Sequence, residues 1–325
     1  MSLEKSIIVT GGAGFIGSGV IRLLNESGLE RIVVVDNLGS SFKWKNLVRK
    51  RFIEIVHKEH LFEWLKGKEK EIGAIIHLGA CSSTVEMDAN YLLENNTRYT
   101  MRLAEFALNI GCRFIYASSA STYGDGEQGF SDEHESLEKY APMNMYGYSK
   151  HLVDLWLKEQ KVLDSVVGLK YFNVFGPNEY HKGRMSSAVL KMTPEAQKTG
   201  KLHLFKSSEP ERFADGEQVR DFIYVKDAAA MTVQFLHNKQ CGIFNIGTGI
   251  KQSWNELAHG VMEALNQPAS IVYKEMPEDL KGIYQNYTCA SMEKYKRCGL
   301  VMPTYSLKAA VQDYVSNYLI PNHYW

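Results

Sequence analysis

The chain has 325 residues, 45% of them hydrophobic and 23% charged, with 37 Lys and Arg set against 37 Asp and Glu. Such a length lets folding bury roughly three quarters of the surface of the unfolded chain, which excludes disorder as the main state and fits about two domains. Zero net charge leaves no overall positive field to gather phosphate backbones or anionic lipid, so neither a nucleic acid nor a membrane is expected as partner.

The opening residues Met1 to Lys5 lead into a short apolar run that dissolves into glycines, without a signal-peptide core or a span of about 18 apolar residues, so a cytoplasmic protein is expected. Cys81, Cys112, Cys241, Cys289 and Cys298 are odd in number and scattered, which predicts reduced, mostly buried thiols. The ten histidines show no metal-ligand spacing, so no metal is expected.

In chain order, Ser6–Thr10, Arg31–Asp36, Arg51–Val56, Ala74–Leu78 and Cys112–Ser118 are short β-branched runs and read as strands. Helical patterns lie between them, at Phe15–Asn25 and at Asn95–Ile110, the latter stopped by Gly111. A further helix is expected from Met145 to about Leu163, then strands at Val166–Phe172, Phe222–Val225 and Phe244–Ile246. Strands that are apolar throughout need helices on both faces, so the fold class is α/β, a doubly wound parallel sheet of Rossmann type with a smaller mixed α/β domain. The smaller domain is expected from Lys-, Glu- and Ser-rich sequence after Gly176-Pro177.

Gly11-Gly12-Ala13-Gly14-Phe15-Ile16-Gly17 joins the first strand to the first helix and satisfies the G-x-G-x-x-G spacing. Glycines there permit a tight turn and let a pyrophosphate approach exposed N–H groups at the positive end of a helix. Asp36 ends the second strand, where a carboxylate can accept hydrogen bonds from an adenosine ribose. Alone it favours NAD by repelling a 2′-phosphate, but Lys43 in the following loop can neutralise that phosphate and favour NADP. Residues 1–176 with about 222–252 are therefore expected to bind the dinucleotide, and about 177–221 with 253–325 the substrate.

Tyr146-Gly147-Tyr148-Ser149-Lys150 opens a helix, so Tyr146 and Lys150 share a face at i and i+4. A neighbouring ammonium favours the phenolate, which would bring the tyrosine down toward neutral pH for proton exchange with a substrate hydroxyl. The fifth strand runs out into Ser118-Ser119-Ala120-Ser121-Thr122-Tyr123-Gly124 at the carboxyl edge of the sheet, where a serine hydroxyl can share a substrate oxygen. Ser118 and Ser121 are expected to satisfy backbone groups instead.

The glycine turn, the serine and the Tyr-Lys pair together resemble the extended short-chain dehydrogenase/reductase family of nucleotide-sugar enzymes. Its tyrosine-glycine pair after the serine selects Ser119. More narrowly, His77 to Thr84, Met145 to Lys150, Tyr171 to Pro177, His181-Lys182-Gly183, Arg220-Asp221-Phe222 and Leu280 to Gln285 are similar to the words of the ADP-heptose 6-epimerase branch. The resemblance implies an isomerase that inverts C6 of the heptose of ADP-D-glycero-D-manno-heptose, giving the L-glycero epimer for the lipopolysaccharide inner core. One tightly bound NADP per subunit would oxidise and re-reduce the same carbon. Two acid/base groups make sense there, because rotation of the ketone carries its oxygen away from the first proton partner.

Carried over position by position, the resemblance assigns catalysis to Tyr146, Lys182, Lys150 and Ser119. The cofactor shell would be Gly11, Gly14, Phe15, Ile16, Gly17, Asp36, Asn37, Lys43, Lys58, Leu78, Gly79, Ala80, Cys81, Ser82, Asn95, Lys150 and Val174. Substrate would meet Ser119, Asn173, Arg184, Lys191, Phe205, Lys206, Ser207, Ser208, Arg220 and Tyr284. The chain departs from the branch at Arg184 and Lys191, where smaller or imidazole side chains are usual, and in the charged insert Glu209 to Gln218. The resemblance also implies a homo-oligomer arranged as a ring, a pentamer being one such form. A UDP-hexose 4-epimerase shares the glycine turn and the Tyr-Lys pair but not His181-Lys182-Gly183. A 4,6-dehydratase would carry an Asp-Glu pair where this chain has Ala120-Ser121-Thr122, and a non-enzymatic NAD(P) sensor would usually lack Tyr146 or Lys150.

Overall fold

The computed structural model describes residues 5–278 and 284–325, so Met1 to Glu4 and all of the Leu280–Gln285 word except Tyr284 and Gln285 lie outside the described residues. The chain begins β1 (Ser6–Thr10), α1 (Phe15–Glu26), β2 (Ile32–Asp36), β3 (Glu54–His57), α2 (Leu61–Trp64), β4 (Ile72–His77), α3 (Ala89–Leu92), α4 (Tyr99–Ile110), β5 (Arg113–Ser119) and α5 (Met145–Glu159). It continues β6 (Val167–Tyr171), β7 (Asn173–Phe175), α6 (Ala188–Thr199), β8 (Leu202–Phe205), β9 (Val219–Arg220), β10 (Phe222–Tyr224), α7 (Val225–Gln234) and β11 (Gly242–Ile246). Then come β12 (Gln252–Ser253), α8 (Trp254–Ala264), β13 (Ile271–Lys274), α9 (Glu293–Arg297) and α10 (Leu307–Tyr314).

Seven strands form one sheet in the order β11-β6-β5-β4-β1-β2-β3, and every pair in it is parallel. Side chains along a strand alternate between faces, and here both faces are apolar. Ile7, Val9, Ile32 and Val34 join the core on one side, while Ile8, Val33 and Val35 join that on the other. Strand order reverses between β1 and β4, the place where an open α/β sheet parts to form a binding crevice.

Element edges differ from the sequence expectation where side chains take over the backbone's hydrogen bonds. The third strand begins at Glu54 rather than Arg51, because Arg51 N–H donates to the Asn25 side chain instead of a strand neighbour. Helix α5 ends at Glu159 rather than near Leu163; Lys161 adopts φ 58°, which breaks the helical path. Before α4, Leu93–Arg98 forms a π-helical turn, and Gly111 closes α4 in the left-handed conformation. The five free cysteines are half-buried, not mostly buried as expected.

Outside the main sheet, β8 pairs with β13 and β7 with β10, both parallel, and β9 with β12 antiparallel. Helix α8 starts at a capping box in which Ser253 and Glu256 satisfy each other's backbone N–H groups. Among the described residues, no helix is long and apolar enough to cross a membrane.

Candidate active site

A cleft of about 600 Å³ opens at the carboxyl edge of the sheet, over the switch between β1 and β4. Its floor is the glycine turn. Gly11 has φ +65°, and a Cβ there would stand 2.6 Å from Gly79 N; a Cβ on Gly17 would stand 2.2 Å from Gly11 O. Only glycine lets the ends of β1 and β4 close on each other and α1 begin immediately beneath the cleft. Gly14, the N-cap of α1, supplies no side-chain acceptor, so the first helical turn keeps N–H groups for an anion.

Asp36 is buried at the end of β2. Its Oδ2 accepts from Ala13 N at 2.9 Å and its Oδ1 from Asn37 N at 2.7 Å, while Lys43 Nζ stands 2.5 Å from Oδ1. The acid thus holds the glycine turn and the basic loop at once. On the opposite wall, Leu78, Gly79, Ala80, Cys81 and Ser82 face the turn, beside Lys58, whose Nζ donates to Asn95 Oδ1 at 2.6 Å. The π-helical turn brings Asn96 under this wall, where its side chain accepts from Cys81 N and donates to Cys81 O and Ser149 Oγ. Such turns recur at functional sites because they re-aim side chains without ending the helix.

His77 lies behind the same wall. Thr100 donates its hydroxyl to Asn96 O, so Thr100 Oγ1 accepts from His77 Nε2 at 2.9 Å; Thr10 donates to Nδ1 at 2.6 Å and accepts from Gly79 N. Burial, helped by the Lys150 ammonium, pushes this imidazole down to about 3. It is a neutral strut between β1, β4 and α4.

Tyr146, Lys150 and Ser119 face the cleft from α5 and β5. Asn144 caps α5 by accepting from Gly147 N at 2.8 Å, which fixes the start of the helix and the direction of Tyr146. Burial raises the Tyr146 phenol above its ordinary value, and a hydrogen bond with Ser119 works in the opposite direction. The expected lowering by Lys150 is therefore corrected: Lys150 Nζ turns to Ala117 O at 2.8 Å, and burial brings it down to about 8 against an upward pull from Asp154. Ser118 does not share the role of Ser119, but neither does it satisfy a backbone group as expected. Its hydroxyl donates to Asp154, which also accepts from Tyr116 and from Lys170 Nζ in a pair with no solvent exposure.

Across the cleft, Lys182 sits in the Tyr180–Met185 turn with its Nζ 5.1 Å from the centre of the Phe15 ring. Burial lowers it, Glu179 raises it and Lys191 lowers it further. Its neighbour His181 is brought down to about 4 by burial, then by Lys43 and Lys182. Asn173 and Val174 reach the cleft from β7. All the sequence-derived catalytic and cofactor residues thus line one cavity.

Most of the sequence-derived substrate residues do not. Arg184 belongs to the Lys182 turn but does not line the cleft, and Lys191, from α6, donates its Nζ to Arg184 O. Phe205 is exposed and Lys206 pairs with Glu275 at the surface. Ser207 N bonds to Asp215, and Ser208 exchanges hydrogen bonds with Asn286. Arg220, buried, lies 5.0 Å from the Tyr284 ring centre and 5.6 Å from that of Trp254, and Trp254 lines the cleft. Of these residues, Arg220 is the one placed beside a cleft residue, Trp254, which the sequence analysis did not single out; nor did it single out Asn96 or give His77 a role of its own. Their shared signal was weak: polar or aromatic residues whose partners are remote in the chain.

A family model described as the NAD dependent epimerase/dehydratase family matches residues 7–247. The chain belongs to this family. A relative from Nitratidesulfovibrio vulgaris, named ADP-L-glycero-D-manno-heptose-6-epimerase, is 47% identical and the alignment covers 96% of this chain and 97% of that one. The Helicobacter pylori structure of an enzyme with the same name is 28% identical, with a TM-score of 0.79 and coverage of 97% and 96%. A Thermotoga maritima UDP-glucose 4-epimerase with UDP-glucose is 28% identical, also with a TM-score of 0.79, over 98% and 100%. Family membership and the geometry agree on a nicotinamide dinucleotide: a Cβ-free turn, uncapped N–H groups and an acid ending β2 are what its diphosphate and ribose require.

Proposed function

We propose that this chain converts ADP-D-glycero-D-manno-heptose to ADP-L-glycero-D-manno-heptose by inverting C6, with NADP as the resident cofactor. The observation that carries the reading is that Tyr146 and Lys182 reach one cleft from different elements, α5 and the Tyr180–Met185 turn, above a single glycine turn. The relatives' names supply the substrate class, and Lys43 beside Asp36 supports the 2′-phosphorylated form of the dinucleotide.

Gly11 to Gly17, Asp36 and Lys43 would hold the dinucleotide, which when bound would supply removal and return of hydrogen at the sugar carbon. Tyr146 exchanges the hydroxyl proton on one face, with Ser119 bonded to its phenol oxygen. Lys182 serves the oxygen after it has turned to the other side; burial keeps its amine easier to deprotonate than a surface lysine. Arg220 and Tyr284, with Phe205 to Ser208, would meet the ADP portion, an arginine being suited to diphosphate. On this reading the sugar-nucleotide side comprises residues 177–221 and 253–325.

Incubation with ADP-D-glycero-D-manno-heptose, followed by NMR, should show inversion at C6 without net consumption of added NADPH. Absence of inversion together with turnover of a UDP-hexose would reject the assignment. Mass spectrometry of the nucleotide released on denaturation should show NADP, and NAD in its place would overturn the cofactor assignment.

A further inference from the structure

Asn178 is fully buried and adopts φ 76°, a left-handed conformation that costs most residues energy but that asparagine tolerates. It stands four residues before Lys182, and its hydrogen bonds run away from its own turn. Nδ2 donates to Ser18 Oγ at 3.0 Å and to Trp325 O at 2.9 Å, and Oδ1 accepts from Trp325 N at 2.9 Å. The Asn178 carbonyl accepts from Asn46 Nδ2 at 3.0 Å, and the same amide group donates to Ala13 O and lies 3.4 Å from His181 Nδ1. Ser18 in turn donates to Phe15 O. The Asn178 side chain therefore bonds directly to the first turn of α1 and to Trp325, and its carbonyl is linked to the glycine turn through the Asn46 amide.

We propose that Asn178 is a positioning residue that holds the Lys182 turn at a set distance from the glycine turn, with Trp325 as its second anchor. The inference rests on the reading of Lys182 as a proton-transfer group. The rest of the turn is stitched to the same region: Tyr180 donates to His323 O at 2.7 Å and packs edge-on against Tyr324, and Glu179 accepts from Tyr314, Ser187 and Gly176. Two charges act directly on Lys182, Glu179 in favour of the ammonium and Lys191 against it, and the Phe15 ring covers it from α1. Loosening the turn leaves those neighbours in sequence but admits water, so the ammonium becomes easier to hold.

The test compares wild type with Asn178→Gly, which keeps the left-handed backbone while removing three side-chain bonds, and with Ser18→Ala, which removes one of those three together with the Ser18 bond to Phe15 O. Acylation of Lys182 as a function of pH, read by peptide mass spectrometry, reports its titration without any turnover. In Asn178→Gly the midpoint should move up toward that of a surface lysine, kcat should fall on the order of a hundredfold, and KM and bound dinucleotide per subunit should change little. Ser18→Ala should shift both in the same direction by less, and it decides the matter if Asn178→Gly does not fold. A folded variant with an unchanged labelling curve and unchanged kcat overturns the proposal. A shifted curve in a protein that never inverts ADP-heptose would keep the positioning role and reject the function.

Discussion

Lys43 Nζ stands 2.5 Å from Asp36 Oδ1, while Asp36 Oδ2 accepts from Ala13 N in the glycine turn at 2.9 Å. The lysine is thus preset beside the acid that, on the proposed reading, would accept from the ribose. Lys43→Ala should weaken NADP about tenfold relative to NAD, the scale of one partly exposed charge contact with a phosphate. Titration calorimetry on cofactor-free protein measures both affinities, and an equal loss for the two would remove Lys43 from the discrimination.

Tyr146→Phe removes one oxygen from a side chain whose ring already fits the cleft. It should lower kcat by about 10²- to 10⁴-fold, the usual worth of a positioned acid/base group, and leave bound dinucleotide and circular dichroism unchanged. Lys182→Ala should behave alike, and the double variant should be only slightly worse. NMR rates of C6 inversion check this, and full turnover in either single variant would remove that residue from the chemistry.

The Asp154–Lys170 pair has no exposure of either side chain, and Asp154 also accepts from Ser118 and Tyr116. Lys170→Met should cost about 3–5 kcal/mol of stability, because it strands a buried carboxylate. Asp154→Leu with Lys170→Met should recover most of the loss in urea melts. The same double variant should lower the titration of Lys150, since Asp154 is what opposes its burial.

Burial, with the Lys150 ammonium nearby, holds His77 down to about 3 in the folded chain against an ordinary 6.5. A depressed folded value means that the stabilisation is complete above pH 6.5 and is lost as pH falls from there toward 3. Between pH 6.5 and 4.5 the loss should be on the order of 3 kcal/mol. Urea midpoints across that range should fall less steeply for His77→Gln than for wild type, and parallel curves would show that the imidazole is not the group responsible.

Local words carried much of the fold because their physics is local. The positive φ at Gly11, the apolar strand runs of β1 and β2 and the Gly111 cap each follow from neighbours a few residues away. The cavity likewise collects residues that motif spacing singled out. The upward shift of Tyr146 is not legible in the sequence, because i, i+4 spacing states which side chains share a helix face, and not how much water remains or where the ammonium turns.

Sequence alone thus determined a glycine turn feeding a helix, an acid at the end of β2 and a tyrosine and lysine one helical turn apart, since backbone sterics and helix periodicity allow little else. Tertiary structure decided the rest: that Asn178 meets Ser18 across 160 positions, that Arg220 sits beside the cleft residue Trp254, and that Lys182 faces Phe15. Those outcomes depend on desolvation and on hydrogen-bond partners supplied by distant elements, and neither exists until the chain has closed on itself.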